Sequence, residues 1–271
     1  MKPATTITKV CRVLEEFRSR PSMGVSDLAR RTNLLPSDVH RILTSLQSCG
    51  YIDQDQETKR YRLGCGFLKL GLIAGQRMRL REAGRPLLQR ISEELDATAL
   101  LAMFDRRELE VFLVEQIDCP GETFLKPSLG SPSGPHCTAL GKTIMACMDP
   151  ETTLRAVNKS GMPRMTSHTI TDMTILEDEF AKIRQQGYGT DHEESIKGAC
   201  CLAAPVRDHT GAVVASISAS LMTDRFFRSN ESRLASVVKS AAAELSASIG
   251  YESKTIGNLR APVRRALTNR G

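Results

Sequence analysis

Four groups of residues in this chain of 271 carry side chains that could do chemistry. His136 beside Cys137 offers a thiol nucleophile and its base. Neighbours at a loop end rarely face each other, however, and no third group orients the pair. Cys200 and Cys201 are vicinal thiols, which a strand would turn to opposite sides, a poor arrangement for joint chelation. His136, His168, His192 and Cys201 would make a metal site only if folding gathered them from a distance. The eight cysteines include no CxxC pair and no ligand spacing. They read as small buried hydrophobes of a reducing compartment, and neither a catalytic residue nor a metal or other cofactor is expected. A thiol- or metal-responsive protein and a cysteine-dependent enzyme are the alternative readings. The fourth group is a helix start near Thr138, after the Gly- and Pro-rich residues 130–135. Its free amides and positive dipole suit a carboxylate, although an ordinary capped helix after a surface loop has the same spacing.

Charge divides unevenly among the elements that must position these groups. Residues 1–81 hold fifteen Lys and Arg against seven Asp and Glu, whereas residues 82–253 carry a net −7 and residues 254–271 a net +5 with no acid. A basic beginning beside an acidic body suggests a polyanion partner for the first part alone. The longest apolar stretches, residues 97–104 and 212–222, fall short of the ~20 residues a membrane helix needs. The N-terminus lacks a signal-peptide core. The chain is expected to stay in the cytoplasm with no membrane partner.

In the basic part, Ile7, Val10, Val13, Leu14 and Phe17 recur at helical steps. A short second helix follows, with Ser26 as its expected cap and Leu28 and Ala29 facing inward. Asn33-Leu34-Leu35 makes a tight turn into a third helix that opens on Pro36 and runs to Cys49 before Gly50. That helix buries Val39, Ile42, Leu43 and Leu46. Ser37, Arg41, Thr44 and Ser48 cluster on its opposite face, flanked by His40 and Ser45. Strand-like residues 51–53 and 60–63 then form a hairpin carrying Lys59, Arg60 and Arg62. Three helices and a basic wing make a winged helix-turn-helix for double-stranded DNA. Ser37, His40, Arg41, Thr44, Lys59, Arg60 and Arg62 are its expected contacts.

Apolar residues from Phe67 to Ile73, then Arg77-Met78-Arg79-Leu80-Arg81, read as a helical linker over 67–81, leading into an amphipathic helix at 83–95 with Pro86 in its first turn. Strands at 98–104, 110–116, 201–206 and 213–221 alternate with helices near 138–148, 175–186 and 230–251. Short turns between neighbouring strands imply an antiparallel sheet, so the fold class is α+β. This assigns residues 1–66 to DNA binding, 67–81 to a linker helix, 82–253 to a sensor domain and 254–271 to a basic disordered tail. No phosphate-cradling glycine motif is present.

Three strings complete the pattern. The first is Val39-His40-Arg41-Ile42-Leu43-Thr44-Ser45-Leu46, with Gly50-Tyr51-Ile52 and Tyr61-Arg62-Leu63-Gly64 after it. The second is Pro135-His136-Cys137-Thr138-Ala139-Leu140-Gly141-Lys142. The third runs from Gly187-Tyr188 through Asp191-His192-Glu193-Glu194 and Cys201-Leu202-Ala203-Ala204-Pro205-Val206 to Ile217-Ser218-Ala219-Ser220. Over roughly residues 5–251 the chain resembles the IclR family of bacterial transcriptional regulators. The resemblance implies a GAF-like effector domain for a small organic acid, and homodimers or homotetramers on palindromic operators of a metabolic or catabolic operon. It places Asp191, Cys201, Ser218, Ser220 and the backbone of Ala139 and Leu140 around the effector. Ser218 and Ser220, two apart in a strand, would present both hydroxyls to one face, and Asp191 would hold a hydroxyl or, if protonated, donate to a carboxylate. Pro36 and Asp38 depart from the family's usual Lys and Thr beside DNA. Asp38 either accepts from a cytosine amino group or caps the helix.

Overall fold

The computed structural model describes residues 5–76, 79–119 and 128–252, with the side chains of residues 5, 72–76 and 79 excepted. Arg77-Met78 of the linker and the basic residues 254–271 lie outside the described residues.

The chain opens with α1 (Thr5–Glu15), a 3-10 turn (Glu16–Arg18), α2 (Val25–Thr32) and α3 (Pro36–Ser48). Asn33 ends α2 in the left-handed region at φ 53°, a conformation Asn tolerates, and Leu35 caps α3 with Pro36 in its first turn. That sharp reversal seats α3 across α2. Val13, Leu28, Val39 and Leu43 share one core, fully buried, each contributing ~1.5–3 kcal/mol by transfer from water. Two expectations fail here. Ile7 is 65% exposed and outside that core. The cap position of α2 is Gly24, so Ser26 lies inside the helix. The wing is an antiparallel pair, β1 (Ile52–Gln54) and β2 (Tyr61–Leu63), to which Met23 adds a bridge at Tyr61. Gly64 is forced by packing, because a Cβ there would lie 2.8 Å from the carbonyl oxygen of Gly50.

Helices α4 (Cys65–Gln76) and α5 (Arg79–Leu95) follow. Since α5 begins four residues before the expected start and buries Leu80, Pro86 sits inside the helix rather than in its first turn. It removes one backbone donor there. Five strands then form one sheet in the order β4-β3-β7-β6-β5, every pair antiparallel. They are β3 (Thr98–Asp105), β4 (Glu110–Ile117), β5 (Gly189–His192), β6 (Ala199–Arg207) and β7 (Val213–Met222). Alternation along β3 sends Ala99 and Leu101 to one face and Leu100, Ala102 and Phe104 to the other. The first face packs on α5 and α10 (Glu231–Ser248). The second packs on α6 (Ala139–Cys147), α7 (Pro150–Ser160) and α8 (Met173–Gln186). β5, α7 and α9 (Thr223–Arg228) have no counterpart in the sequence reading. No helix among the described residues is long and apolar enough to cross a membrane.

Candidate functional site

In β7 the hydroxyl-bearing positions Ser216, Ser218 and Ser220 alternate with the buried apolar residues Ile217, Ala219 and Leu221. The serines therefore all face the α6 side of the sheet, where a cavity of about 650 Å³ opens between sheet, helix and the residues preceding α6. That volume lies within the range of small-molecule sites. Ala139, Leu140, Asp191, Cys201, Ser218 and Ser220 all line it. The cavity mouth carries two ion pairs, Arg18 with Glu110 at 2.8 Å and Lys159 with Glu108 at 2.9 Å.

The expected same-face hydroxyls are not equivalent. Ser216 donates to the carbonyl oxygen of Leu140 at 3.0 Å and so fixes α6 to the sheet. Ser220 donates to Cys201 Sγ at 2.9 Å, its cross-strand neighbour. Ser218 Oγ, fully buried, has no partner among the described residues. At the helix start, Thr138 accepts from the Gly141 amide at 2.9 Å. Among the described residues no acceptor is present for the amides of Ala139 and Leu140. Gly141 must lack a side chain, since a Cβ would run into the carbonyl oxygen of Gly134. The preceding loop is not free. The amides of Gly130 and Ser133 bond to the carbonyls of Leu113 and Val111 along the edge of β4.

Asp191 lines the cavity with both carboxylate oxygens engaged. Its Oδ1 accepts the Glu194 amide at 2.6 Å and its Oδ2 the Ser195 hydroxyl at 2.7 Å. The carboxylate thus closes its own loop at the cavity wall, while burial raises its pKa against those bonds. Behind it, Lys142 is fully buried and donates to both oxygens of Glu194 at 2.5 and 2.7 Å. Burial pushes the Glu194 carboxyl from its ordinary 4.5 up to about 7, against the pull of Lys142. A folded-state pKa above the unfolded value means that this group's contribution is full below about 4.5 and lost as pH rises through about 7. Glu194→Gln imitates the protonated form throughout. Thermal melts should show the variant gaining on the wild type between pH 5 and 8; a constant difference across that window contradicts the burial effect.

The rival chemistries fare differently. Burial holds the Cys137 thiol up at about 12 and also raises that of Cys201, so neither supplies a thiolate nucleophile. His136 turns its Nε2 to the carbonyl oxygen of Pro163 at 3.1 Å. Cys200 bonds Thr223 at 3.6 Å and packs in the core of the other face, so the vicinal thiols do point apart. No cluster of three His, Cys, Asp or Glu residues able to hold a metal occurs among the described residues.

In the basic part, α3 leaves Ser37, His40, Arg41 and Thr44 exposed on one face, and Lys59, Arg60 and Arg62 are exposed on the wing. Arg41 Nη2 lies 3.1 Å from Asp38 Oδ1, and Lys9 lies 2.7 Å from Asp38 Oδ2. These cations hold the Asp38 carboxyl below its usual range, Lys9 first. Asp38 therefore ties α3 to α1; it is neither the cap of α3 nor a free acceptor. Arg60 is held by Ser22, donating to its carbonyl oxygen at 2.8 Å. The sequence reading missed Lys142, Glu194, Ser216 and His136 as parts of the cavity wall and its support, although the strings containing Gly141-Lys142 and Glu193-Glu194 pointed to them.

Comparison with known proteins covers both parts. The model of the IclR helix-turn-helix domain matches residues 6–56, and that of the bacterial transcriptional regulator IclR C-terminal matches residues 73–247. The HTH-type transcriptional regulator KdgR of Dickeya chrysanthemi is 30% identical over 247 residues, covering 91% of this chain and 80% of that protein. The crystal structure of the Thermotoga maritima IclR is 26% identical with a TM-score of 0.69, covering 91% of this chain and 99% of that one. An IclR homolog complexed with 4-hydroxybenzoate, from Microbacterium hydrocarbonoxydans, is similar in fold with a TM-score of 0.77 at 23% identity, covering 90% of this chain and 99% of that one.

Proposed function

This chain belongs to the IclR family of bacterial transcriptional regulators, and from that premise we propose that a small organic acid bound beside Ser218 controls how residues 1–66 hold DNA. It is a ligand-responsive regulator of a metabolic operon and not an enzyme. In the proposed division, the linker spans 67–81 and the GAF-like effector domain 82–253. Ser37, His40, Arg41 and Thr44 enter the major groove while Lys59, Arg60 and Arg62 grip phosphate. Two or four copies bind a palindromic operator. The exposed apolar residues Ile7 on α1 and Leu68 and Leu70 on α4 support that assembly, since a second copy would cover them.

The observation that carries the effector reading is the unpartnered Ser218 hydroxyl in a cavity shared with the free amides of Ala139 and Leu140. Three donors converge where a helix dipole already favours negative charge. A carboxylate satisfies all of them without a full ion pair. The similarly folded homolog holds a compact aromatic acid, 4-hydroxybenzoate, and an acid of that size fits the volume here.

Ser218→Ala tests this directly. Losing a hydrogen bond to a charged group costs ~1.5–3 kcal/mol, so effector affinity should fall roughly 10- to 100-fold. The variant itself should melt no lower than the wild type, because it removes a buried hydroxyl that has no partner. Operator affinity with and without effector, in wild type and variant, is the readout; an undiminished response places the sensor elsewhere.

A further inference from the structure

His136 lines the same cavity, is 2% exposed, and stands outside the residues the family resemblance brings to the effector. Its Nε2 lies 3.1 Å from the carbonyl oxygen of Pro163. A carbonyl cannot donate, so the ring proton is on Nε2, and the neutral imidazole keeps a bare lone pair at Nδ1. Burial favours that neutral form, the charge of Lys142 acting the same way, against the pull of the Pro163 bond. Nδ1 has no partner. Its edge of the ring faces Gly134, itself part of the cavity wall: a Cβ placed on that glycine would lie 3.8 Å from Nδ1.

Several other polar side chains around the ligand space are engaged. Ser133 and Thr138 pair at 2.8 Å, Ser195 binds Asp191 and Ser220 binds Cys201. Among the described residues two buried side-chain nitrogen or oxygen atoms of the wall have no partner, the Ser218 hydroxyl and the His136 Nδ1 acceptor. A bare carboxylate brings acceptors only. It can satisfy Ser218 and the amides of Ala139 and Leu140, but it leaves Nδ1 unmet.

We infer that the effector carries a hydroxyl as well as a carboxylate, and that His136 Nδ1 accepts the hydroxyl proton and thereby selects hydroxylated acids over their parent acids. This rests on the reading of the cavity as the effector site. A site built to bond a ligand hydroxyl discriminates strongly against the analogue lacking it, because its own polar atom is then left buried and unmade.

The test is isothermal titration of the full chain with benzoate and its monohydroxy isomers, and with butyrate and its monohydroxy isomers. Expected is a hydroxylated member binding about tenfold or more tightly than its parent acid. In His136→Gln, whose side-chain amide can still donate to Pro163 but offers no acceptor at the Nδ1 position, that ratio should fall to near one, whatever the change in affinity for the parent acid. Parent acids that bind the wild type as tightly as every hydroxylated partner, or a hydroxyl preference that survives in the variant, overturn the inference and leave the effector cavity standing. If every acid fails to bind at millimolar concentration, the cavity reading falls and this inference with it. If the variant does not fold, nitrogen NMR of the wild-type imidazoles decides. The His136 Nδ1 resonance must move upfield with a preferred hydroxylated acid and not with its parent, and the absence of that selective shift overturns the inference.

Discussion

Replacing Lys142 with methionine is expected to destabilise the protein by ~3–5 kcal/mol, the cost of breaking a buried ion pair from one side. Methionine fills a similar volume, yet it leaves the Glu194 carboxylate 7% exposed with its two shortest donor contacts gone. Glu179, 3.6 Å from the ammonium, loses that contact as well and keeps Lys182 at 3.7 Å. The carboxyl of Glu194 must then either take up a proton or open the loop that Asp191 closes. Denaturant melts read the loss, and a second variant identifies its cause. Lys142→Met combined with Glu194→Leu removes both charges and should recover most of the stability, since an apolar pair can replace a buried ion pair at little cost. A double variant as unstable as the single one would mean that the lysine stem, not its charge, holds the wall.

The second large effect belongs to the DNA face. Arg41, its side chain 77% exposed and paired with Asp38, stands on the exposed face of the proposed recognition helix. Arg41→Ala should lower affinity for the preferred duplex by ~1–3 kcal/mol and relax the choice of base at one position in each half-site. Arg60→Ala should act differently, weakening all duplexes alike and reducing the salt slope by about one. Since Arg60 is also held to Ser22, its melting temperature must be compared with the wild type first. Equal losses on every sequence for Arg41→Ala would make that residue a phosphate contact.

Much of this arrangement is legible in the sequence because its causes are local. The two-residue alternation of β3 and β7 and the Pro36 start of α3 follow from periodicity and backbone preference. β5 was illegible for the opposite reason: Gly189–His192 is four residues long, with no apolar alternation, and holds its place by pairing with β6. α7 could have been found, since Asp149 caps it by accepting the Thr152 amide and Pro150 opens its first turn. For the cavity, the strings supplied residue types but not partners. Nothing in the sequence says that Ser220 is engaged by Cys201 while Ser218 is free, or that Lys142 meets a carboxylate 52 residues away. Hydrogen-bond accounting needs the three-dimensional neighbours of each atom.

The account turns on residues 1–66 being a DNA reader that works in symmetric pairs, and selection of duplexes from a random pool by the full chain at low salt measures this directly. The retained sequences should converge on two inverted half-sites with centres one or two helical turns apart, about 34–36 Å per turn. Retention of no duplex at all, or of duplexes without any shared paired motif, would contradict it.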